Sequence, residues 1–505
     1  MAKSSKFLKE KILLLFNKCL VEHRVPSVWK HSVISMLLKK DQNGSQADSY
    51  RPISSTPCLA RLFERLVLTR LNNHLKNNNI IIMNQSGFRK ARQTKDNVFT
   101  LIQTAQHKFN EKEKSLCIFF DIAGAFDKVW HKGLLFKLHT IRIPYYLIKI
   151  IGAFLKNRTF CVKIEGVCSS FREIECGVPQ EGVLSPSLFS IYINDVPLAE
   201  MENELSLLFA DDIVYTLKFK YNKNGKNSKE SLSIAEKTVQ EYLTRLEKWM
   251  NLWRLTLAPS KCAQITFTRA QKIEGDNFNL KLYGILIPYD VSPKFLGIVF
   301  DPRLSFEAHF KYLEEKLEDR LRILKILSYD PNWKLNTHLL INIYKTLVRS
   351  TIDYASIISG AKNQKLIDKL ETKQNTAIRI IFKKSLLDHV KVEDLRERAL
   401  VSSIKERHEE LLSSYLEKCL TSGNPLIKKV FENYKIFKRR NLIRESLAIK
   451  STGKLDLEKL NLIRATNKKY LDEEIYLTSL CKAKKIIKDL IIDIGEITPI
   501  GTGLR

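Results

Sequence analysis

Apolar and acidic positions alternate in blocks along the middle of this chain. Leu207-Leu208-Phe209-Ala210 and Ile213-Val214-Tyr215 are strand-forming runs separated by Asp211 and Asp212. The pattern predicts two strands meeting at a tight turn, with the two acids at its tip. Upstream, Ser115-Leu116-Cys117-Ile118-Phe119-Phe120 reads as a strand that gives out at Asp121. Phe126, Val129 and Trp130 then recur at helical spacing, which predicts a helix following Asp121. Between these blocks, Gly177-Val178-Pro179-Gln180-Glu181-Gly182-Val183-Leu184-Ser185-Pro186 is turn-rich, and Ser187-Leu188-Phe189-Ser190-Ile191-Tyr192-Ile193 continues as an apolar helix. Further on, Phe306, Phe310, Leu313, Leu317, Leu321 and Leu324 fall at steps of three or four and mark one helix face. Lys311, Lys316, Arg320 and Lys325 lie on its opposite face. An apolar helix with Leu13, Phe16 and Leu20 opens the chain, and another ends near Trp249 and Trp253, expected as core anchors.

Composition narrows the function classes. In 505 residues, Lys and Arg number 84 against 55 acids, a formal charge of +29. The length allows several subdomains, and the basic excess implies a polyanionic partner such as nucleic acid, bound in a salt-dependent way. No apolar run reaches bilayer length; residues 12–16 and 486–492 are short and Lys-bounded. The start lacks the apolar core and cleavage site of a signal peptide. Nine scattered cysteines form no Cys-x-x-Cys pair, and their odd number argues against a disulfide framework. Reduced thiols in the nucleus or cytoplasm are the expectation.

Adjacent carboxylates among apolar residues are costly to desolvate and repel each other, so they call for a hard cation such as Mg²⁺. Read alone, Asp211-Asp212 also fits a solvated turn. With Asp121 brought alongside, the set would hold two metal ions roughly 3.5–4 Å apart, suited to in-line phosphoryl displacement. Asp127 has two readings, a helix-start carboxylate favoured by the helix dipole or a catalytic one.

Taken in order, the three segments resemble motifs A, B and C of reverse transcriptases, and specifically those of non-LTR (LINE-type, jockey-like) retrotransposons. Flanking blocks are similar too. Pro26-Ser27-Val28-Trp29-Lys30, Tyr50-Arg51-Pro52-Ile53-Ser54, Gln85-Ser86-Gly87-Phe88-Arg89, Lys294-Phe295-Leu296-Gly297-Ile298, Ile352-Asp353-Tyr354 and Gln374-Asn375-Thr376-Ala377-Ile378-Arg379 each match a family block in the right order. The resemblance runs from about residue 14 to about residue 382.

The resemblance implies an RNA-directed DNA polymerase that extends a primer 3′-hydroxyl with dNTPs, with two Mg²⁺ ions as cofactors and an RNA template with a DNA primer as partners. It implies Asp121, Asp211 and Asp212 as catalytic residues, and Asp121, Ile122, Asp211 and Asp212 as metal ligands. Lys261 matches a lysine that protonates the departing pyrophosphate; a plain surface lysine is the competing reading. Phe126 matches the bulky gate that crowds a 2′-hydroxyl, and Gln180 lines the nucleotide pocket. Arg61 and Arg89 match finger arginines that meet the triphosphate, a role suited to a guanidinium fork; either also reads as a solvated surface residue. Glu181-Gly182 departs from the family's Gly-Ser or Gly-Gly pair. A carboxylate there would repel phosphates unless it turns away or pairs with a base.

The expected fold is α+β, a right-hand polymerase with fingers (1–105), a ferredoxin-like palm (106–302), a helical thumb (303–385) and a basic helical C-terminal region (386–505). Lys435-Ile436-Phe437-Lys438-Arg439-Arg440 and Lys482-Ala483-Lys484-Lys485 are basic clusters on helices there, and Tyr221-Asn222-Lys223-Asn224-Gly225-Lys226-Asn227-Ser228 reads as a polar surface loop. No ribonuclease H pattern, zinc knuckle or upstream endonuclease is present, so a truncated copy is expected. The rival readings are a catalytically silent nucleic-acid-binding remnant and a group II intron relative. The latter would bring a maturase region and a His-Asn-His nuclease tail.

Overall fold

The computed structural model describes residues 5–39, 43–46, 49–109, 113–220, 228–269, 278–359, 364–421 and 423–432. The Lys435–Arg440 and Lys482–Lys485 clusters, and the loop at 221–227, lie outside the described residues.

The chain opens with α1 (Lys6–Glu22), followed by β1 (His31–Leu38), β2 (Tyr50–Ser55), α2 (Cys58–Asn77) and α3 (Thr94–Phe109). Next come β3 (Glu113–Phe120), α4 (His131–Thr140), α5 (Tyr145–Leu155), β4 (Arg158–Ile164), β5 (Val167–Cys168), β6 (Arg172–Ile174) and α6 (Ser185–Tyr192). The hairpin β7 (Glu204–Phe209) and β8 (Asp212–Lys220), helix α7 (Ser228–Leu252) and β9 (Ala263–Phe267) complete the middle of the chain. Two short hairpins, β10–β11 (Lys281–Leu282, Ile285–Leu286) and β12–β13 (Lys294–Phe295, Ile298–Val299), lead into helices α8 (Glu307–Tyr329), α9 (Thr337–Ile343), α10 (Ser350–Tyr354), α11 (Ser356–Ser359), α12 (Gln364–Phe382), α13 (Val392–Arg398), α14 (Ile404–Thr421) and α15 (Pro425–Glu432).

The central sheet has the order β7-β8-β3-β9, all antiparallel. With helices between β3 and β7 and between β8 and β9, this is the split βαβ arrangement that the sequence predicts. The apolar run of β3 places it inside the sheet, where it and β8 each have a neighbour on both sides and side chains in the cores on both faces. Leu116, Ile118 and Phe120 join a core with Tyr215, Tyr242, Leu243 and Leu246, while Cys117 and Phe119 face a second core with Phe99, Ile102, Phe300 and Phe310. Successive side chains point to opposite faces, so an uninterrupted apolar run suits a strand covered twice. Each fully buried Leu, Ile or Phe contributes about 1.5–3 kcal/mol.

The outer sheet is assembled from distant segments. β1 pairs antiparallel with β2 and parallel with β4, to which β5 and β6 add. Residues 158–174 thus complete a sheet begun by residues 31–55.

Helix α8 buries Phe310, Leu313, Leu317, Leu321 and Leu324 along one face, as its spacing predicts. Of the cations expected on the opposite face, Arg320 instead turns inward and donates to the Leu347 carbonyl and the Thr351 hydroxyl. Trp249 is buried and Trp253 packs against the same core. The segment after α13 folds back onto α3: the buried Asp96 carboxylate accepts from Tyr415 Oη at 3.0 Å and from Asn424 Nδ2 at 3.1 Å.

The helix predicted immediately after Asp121 is not formed. Residues 123–128 make turns, with Gly124 at φ 61°, and α4 begins only at His131. The carbonyls of Phe126 and Val129 accept from the N–H groups of Val178 and Gly177, at 2.8 Å each. A continuous helix would use those carbonyls internally, so pairing with the 177–178 segment overrides the local period.

Candidate active site

The β7–β8 hairpin closes with Phe209 paired to Asp212, leaving Ala210 and Asp211 as a two-residue turn. Ala210 adopts φ 57°, the left-handed conformation such turns require. On β3, Phe120 pairs with Ile213, so Asp121, the next residue, falls beside Asp212. Asp121 and its neighbours are fixed from the other side: Ala258 N–H donates to the Asp121 carbonyl and Ala123 N–H to that of Thr256, each at 2.9 Å. This pairing leaves the carbonyl of Ile122, whose side chain is buried, outside the ladder.

Three carboxylates therefore sit at the end of the central sheet, close enough to feel one another. Burial raises the Asp211 carboxyl, Asp121 raises it further, and the Arg51 charge opposes the rise. Asp212 is pushed up to about 6, by burial first and then by Asp211 and Asp121. Its surface borders solvent, which screens part of that repulsion. Among the described residues no three metal-competent side chains already converge at ligand spacing. The donor set nonetheless suits a hard divalent ion: all-oxygen, multiply anionic, with one spare carbonyl.

The second part of the site is the 177–184 loop. Gly177, at φ 88°, lies so close to residue 127 that a Cβ would stand 2.7 Å from the Asp127 carbonyl, so only glycine fits. Gln180 donates its amide to both carboxylate oxygens of Asp127, at 3.0 Å each. Asp127 is thus in a turn and not at a helix start, and its carboxylate holds Gln180. Phe126 stacks on Phe189, with ring centroids 4.8 Å apart, and meets Phe88 edge-on at 6.3 Å. Glu181 is exposed and held at φ 71°.

The cations expected at the site lie as follows. Arg61 is exposed on α2. Arg89 spends Nη1 on the carbonyls of Ile82 and Gln85, at 2.8 and 3.2 Å. Lys261 is exposed just before β9. Two residues escaped the sequence reading. Arg51 on β2 is the cation whose charge reaches Asp211, and its block was visible though its position was not. Glu64, buried in α2, accepts from the N–H groups of Val183 and Leu184 at 2.8 and 3.1 Å. It ties the loop that carries Gln180 to α2, and a lone glutamate in a helix gives no sequence signal for that.

Comparison with known proteins agrees with the geometry. The family described as reverse transcriptase (RNA-dependent DNA polymerase) matches residues 37–300. The "RNA-directed DNA polymerase from mobile element jockey" of Drosophila melanogaster is 29% identical over 425 residues, 83% of this chain and 44% of that protein. Its namesake in Drosophila funebris is 30% identical over 428 residues, with the same coverage. The chain therefore spans less than half the length of these relatives. A solved apo telomerase from Candida tropicalis overlays with a TM-score of 0.37 at 13% identity, covering 88% of this chain and 73% of that one. So loose an overlay carries no argument.

Proposed function

Because the chain belongs to the reverse transcriptase family, we propose that it is an RNA-directed DNA polymerase of the jockey-like, non-LTR retrotransposon type. In this reading it extends a primer 3′-hydroxyl with dNTPs on an RNA template and holds the resulting RNA–DNA hybrid. The observation that carries the reading is the register of β3 on β8, which sets Asp121 beside the Ala210-Asp211-Asp212 turn.

Asp121, Asp211 and Asp212, with the Ile122 carbonyl, would hold two Mg²⁺ ions, which when bound supply charge neutralisation and a more acidic hydroxyl. The protein's own part is positional. The aspartates fix the direction from which a primer end can approach an α-phosphate. The Phe126 ring, wedged between Phe189 and Phe88, forms a wall against a 2′-hydroxyl; a wall of this kind discriminates modestly. Gln180, oriented by Asp127, faces the incoming nucleotide. Arg51 takes the triphosphate, a role expected from sequence of Arg61 and Arg89; Arg89 retains a supporting one through its carbonyl contacts. Lys261, free at the surface, would deliver a proton to pyrophosphate once substrate closes the site.

Residues 1–105, 106–302, 303–385 and 386–505 correspond in this proposal to fingers, palm, thumb and basic C-terminal region, with β4–β6 lent by the palm segment to the fingers sheet. The formal charge of +29 supports a polyanionic partner. No helix among the described residues is long and apolar enough to cross a membrane. The eight cysteines among the described residues are free thiols, which suits the nucleus or cytoplasm.

Primer extension on an RNA template with Mg²⁺ tests the proposal. Incorporation is expected, and Asp211→Asn should reduce it on the order of 10³-fold or more. Tight RNA binding with no incorporation would instead identify a silent binding remnant.

A further inference from the structure

Beside the catalytic turn runs a segment that belongs to neither sheet. Residues 84–86 lie parallel to β7: Leu208 N–H donates to the Asn84 carbonyl at 3.0 Å, and Ser86 N–H to that of Leu208 at 2.8 Å. Asn97 adds a second donor to the Leu208 carbonyl at 3.0 Å. From this segment Gln85 reaches the turn itself. Its side chain is buried, at 1% exposure. Its Oε1 accepts from Ala210 N–H at 2.9 Å and from Gly87 N–H at 2.7 Å, while Nε2 donates to the Ala210 carbonyl at 3.3 Å. One amide thus satisfies both polar groups of the residue that precedes Asp211. Gly87 lets the segment approach this closely, since a Cβ there would stand 2.2 Å from Ala210 N.

We infer that Gln85 is a positioning residue for the proposed polymerase reaction, a clamp that holds the Ala210 peptide in its left-handed turn and so keeps Asp211 and Asp212 aimed at the site. The inference rests on the polymerase reading. Its physical basis is that the turn presents two like charges beside a third, with an alanine where glycine or asparagine is favoured. Left to itself such a turn relaxes to separate the carboxylates. An amide is suited to hold it, because it donates and accepts at once without adding charge. An apolar side chain would leave both of Ala210's main-chain groups without that partner.

The test uses the full chain with Gln85→Met, which keeps the volume and removes the amide. A clamp predicts a fall in kcat of about 30-fold and a several-fold higher Mg²⁺ requirement, because the carboxylates are no longer prepositioned. The dNTP KM should stay within about twofold. Hydrogen exchange, read without metal or substrate, should lose about tenfold protection across residues 208–213. Gln85→Glu supplies a pH readout. Its ionised carboxylate accepts but cannot donate and adds charge, whereas its protonated form restores the donor. Its kcat relative to the unsubstituted chain should therefore climb as the pH falls from about 8.5 to about 6.5. Unchanged kcat, Mg²⁺ requirement and exchange in folded Gln85→Met would overturn the inference. If Gln85→Met does not fold, Gly87→Ala presses on the same peptide with the amide intact. It should give faster exchange and a higher Mg²⁺ requirement, and unaltered behaviour overturns the clamp. If the unsubstituted chain extends no primer, the polymerase reading fails by itself, and exchange at 208–213 alone decides the clamp.

Discussion

Along β3 of the central sheet every residue from Lys114 to Phe120 is buried, whereas along β1 of the outer sheet only Ser32 is. Both strands are rich in aliphatic residues, so composition does not separate them. What separates them is cover. Helices pack on both faces of the central sheet, while the outer sheet leaves Leu37, Leu38, Ile164 and Val167 exposed. A strand covered on both faces carries charge most readily toward its ends, and Asp121 follows the last residue of β3. An open sheet can carry solvated cations along its length, as Arg51 does. The two sheets thus differ in what they carry: the covered sheet ends in carboxylates, and the open sheet bears the solvated cation Arg51.

Core truncation should break the symmetry most clearly. Ile118→Ala, at a site with 0% exposure, should cost about 2–5 kcal/mol. Leu37→Ala, at 59% exposure, should stay within about 0.5 kcal/mol. Denaturant melts of the two variants measure this; similar losses would mean that the outer sheet is covered after all.

Arg51→Ala tests the counter-charge. Losing a charge-assisted phosphate contact should raise the dNTP KM by about tenfold or more, with a smaller change in kcat. Steady-state primer extension separates the two. A kcat loss at constant KM would assign Arg51 to orienting Asp211 and not to the substrate.

The third test is titration. The Asp212 carboxyl lies near 3.8 unfolded and is raised to about 6 in the fold. Below about pH 4 both states hold the proton and the site costs nothing. As the pH rises to about 6 the folded state is progressively disfavoured, and above that the loss is complete. Asp211 shifts in the same direction. The metal-free chain should therefore lose melting temperature across this window, and Asp212→Asn should flatten that part of the curve. Added Mg²⁺ should raise the melting temperature more above pH 6 than below it. A metal-free curve identical in Asp212→Asn would remove the crowding argument.

The smallest effect concerns Glu181. At φ 71° a glutamate carries left-handed strain, so Glu181→Gly should gain about 0.5–1 kcal/mol after the entropy cost of glycine. A loss of stability instead would show that the carboxylate has a partner worth more than the strain.

The site was legible in the sequence where the signal is local. A hairpin with acids at its tip, a strand that stops at an aspartate and a thumb-like helix with three- and four-residue spacing are each written in neighbouring residues. What failed was non-local. Phe126, Val129 and Trp130 carry a helical period, but Gly177 and Val178 claim the carbonyls that a helix would need. Nothing near Arg89 in sequence shows that its Nη1 is used on the carbonyls of Ile82 and Gln85. Nothing in residues 31–55 announces that β4, more than a hundred positions later, completes their sheet. Gln85 and Glu64 act on main-chain groups, which have no sequence signature.

The attachment of α14 and α15 to α3 has a consequence for synthesis. Asp96 waits for a partner 328 positions downstream. At ribosomal rates of about 5–20 residues per second, that interval is on the order of half a minute. During it the nascent polypeptide carries an incompletely covered helix, together with a half-finished sheet that still awaits β8 and β9 for part of that time. Exposed apolar surface of this kind is what chaperones recognise, so a cell making this chain should show its greatest dependence on them before residue 424 leaves the exit tunnel.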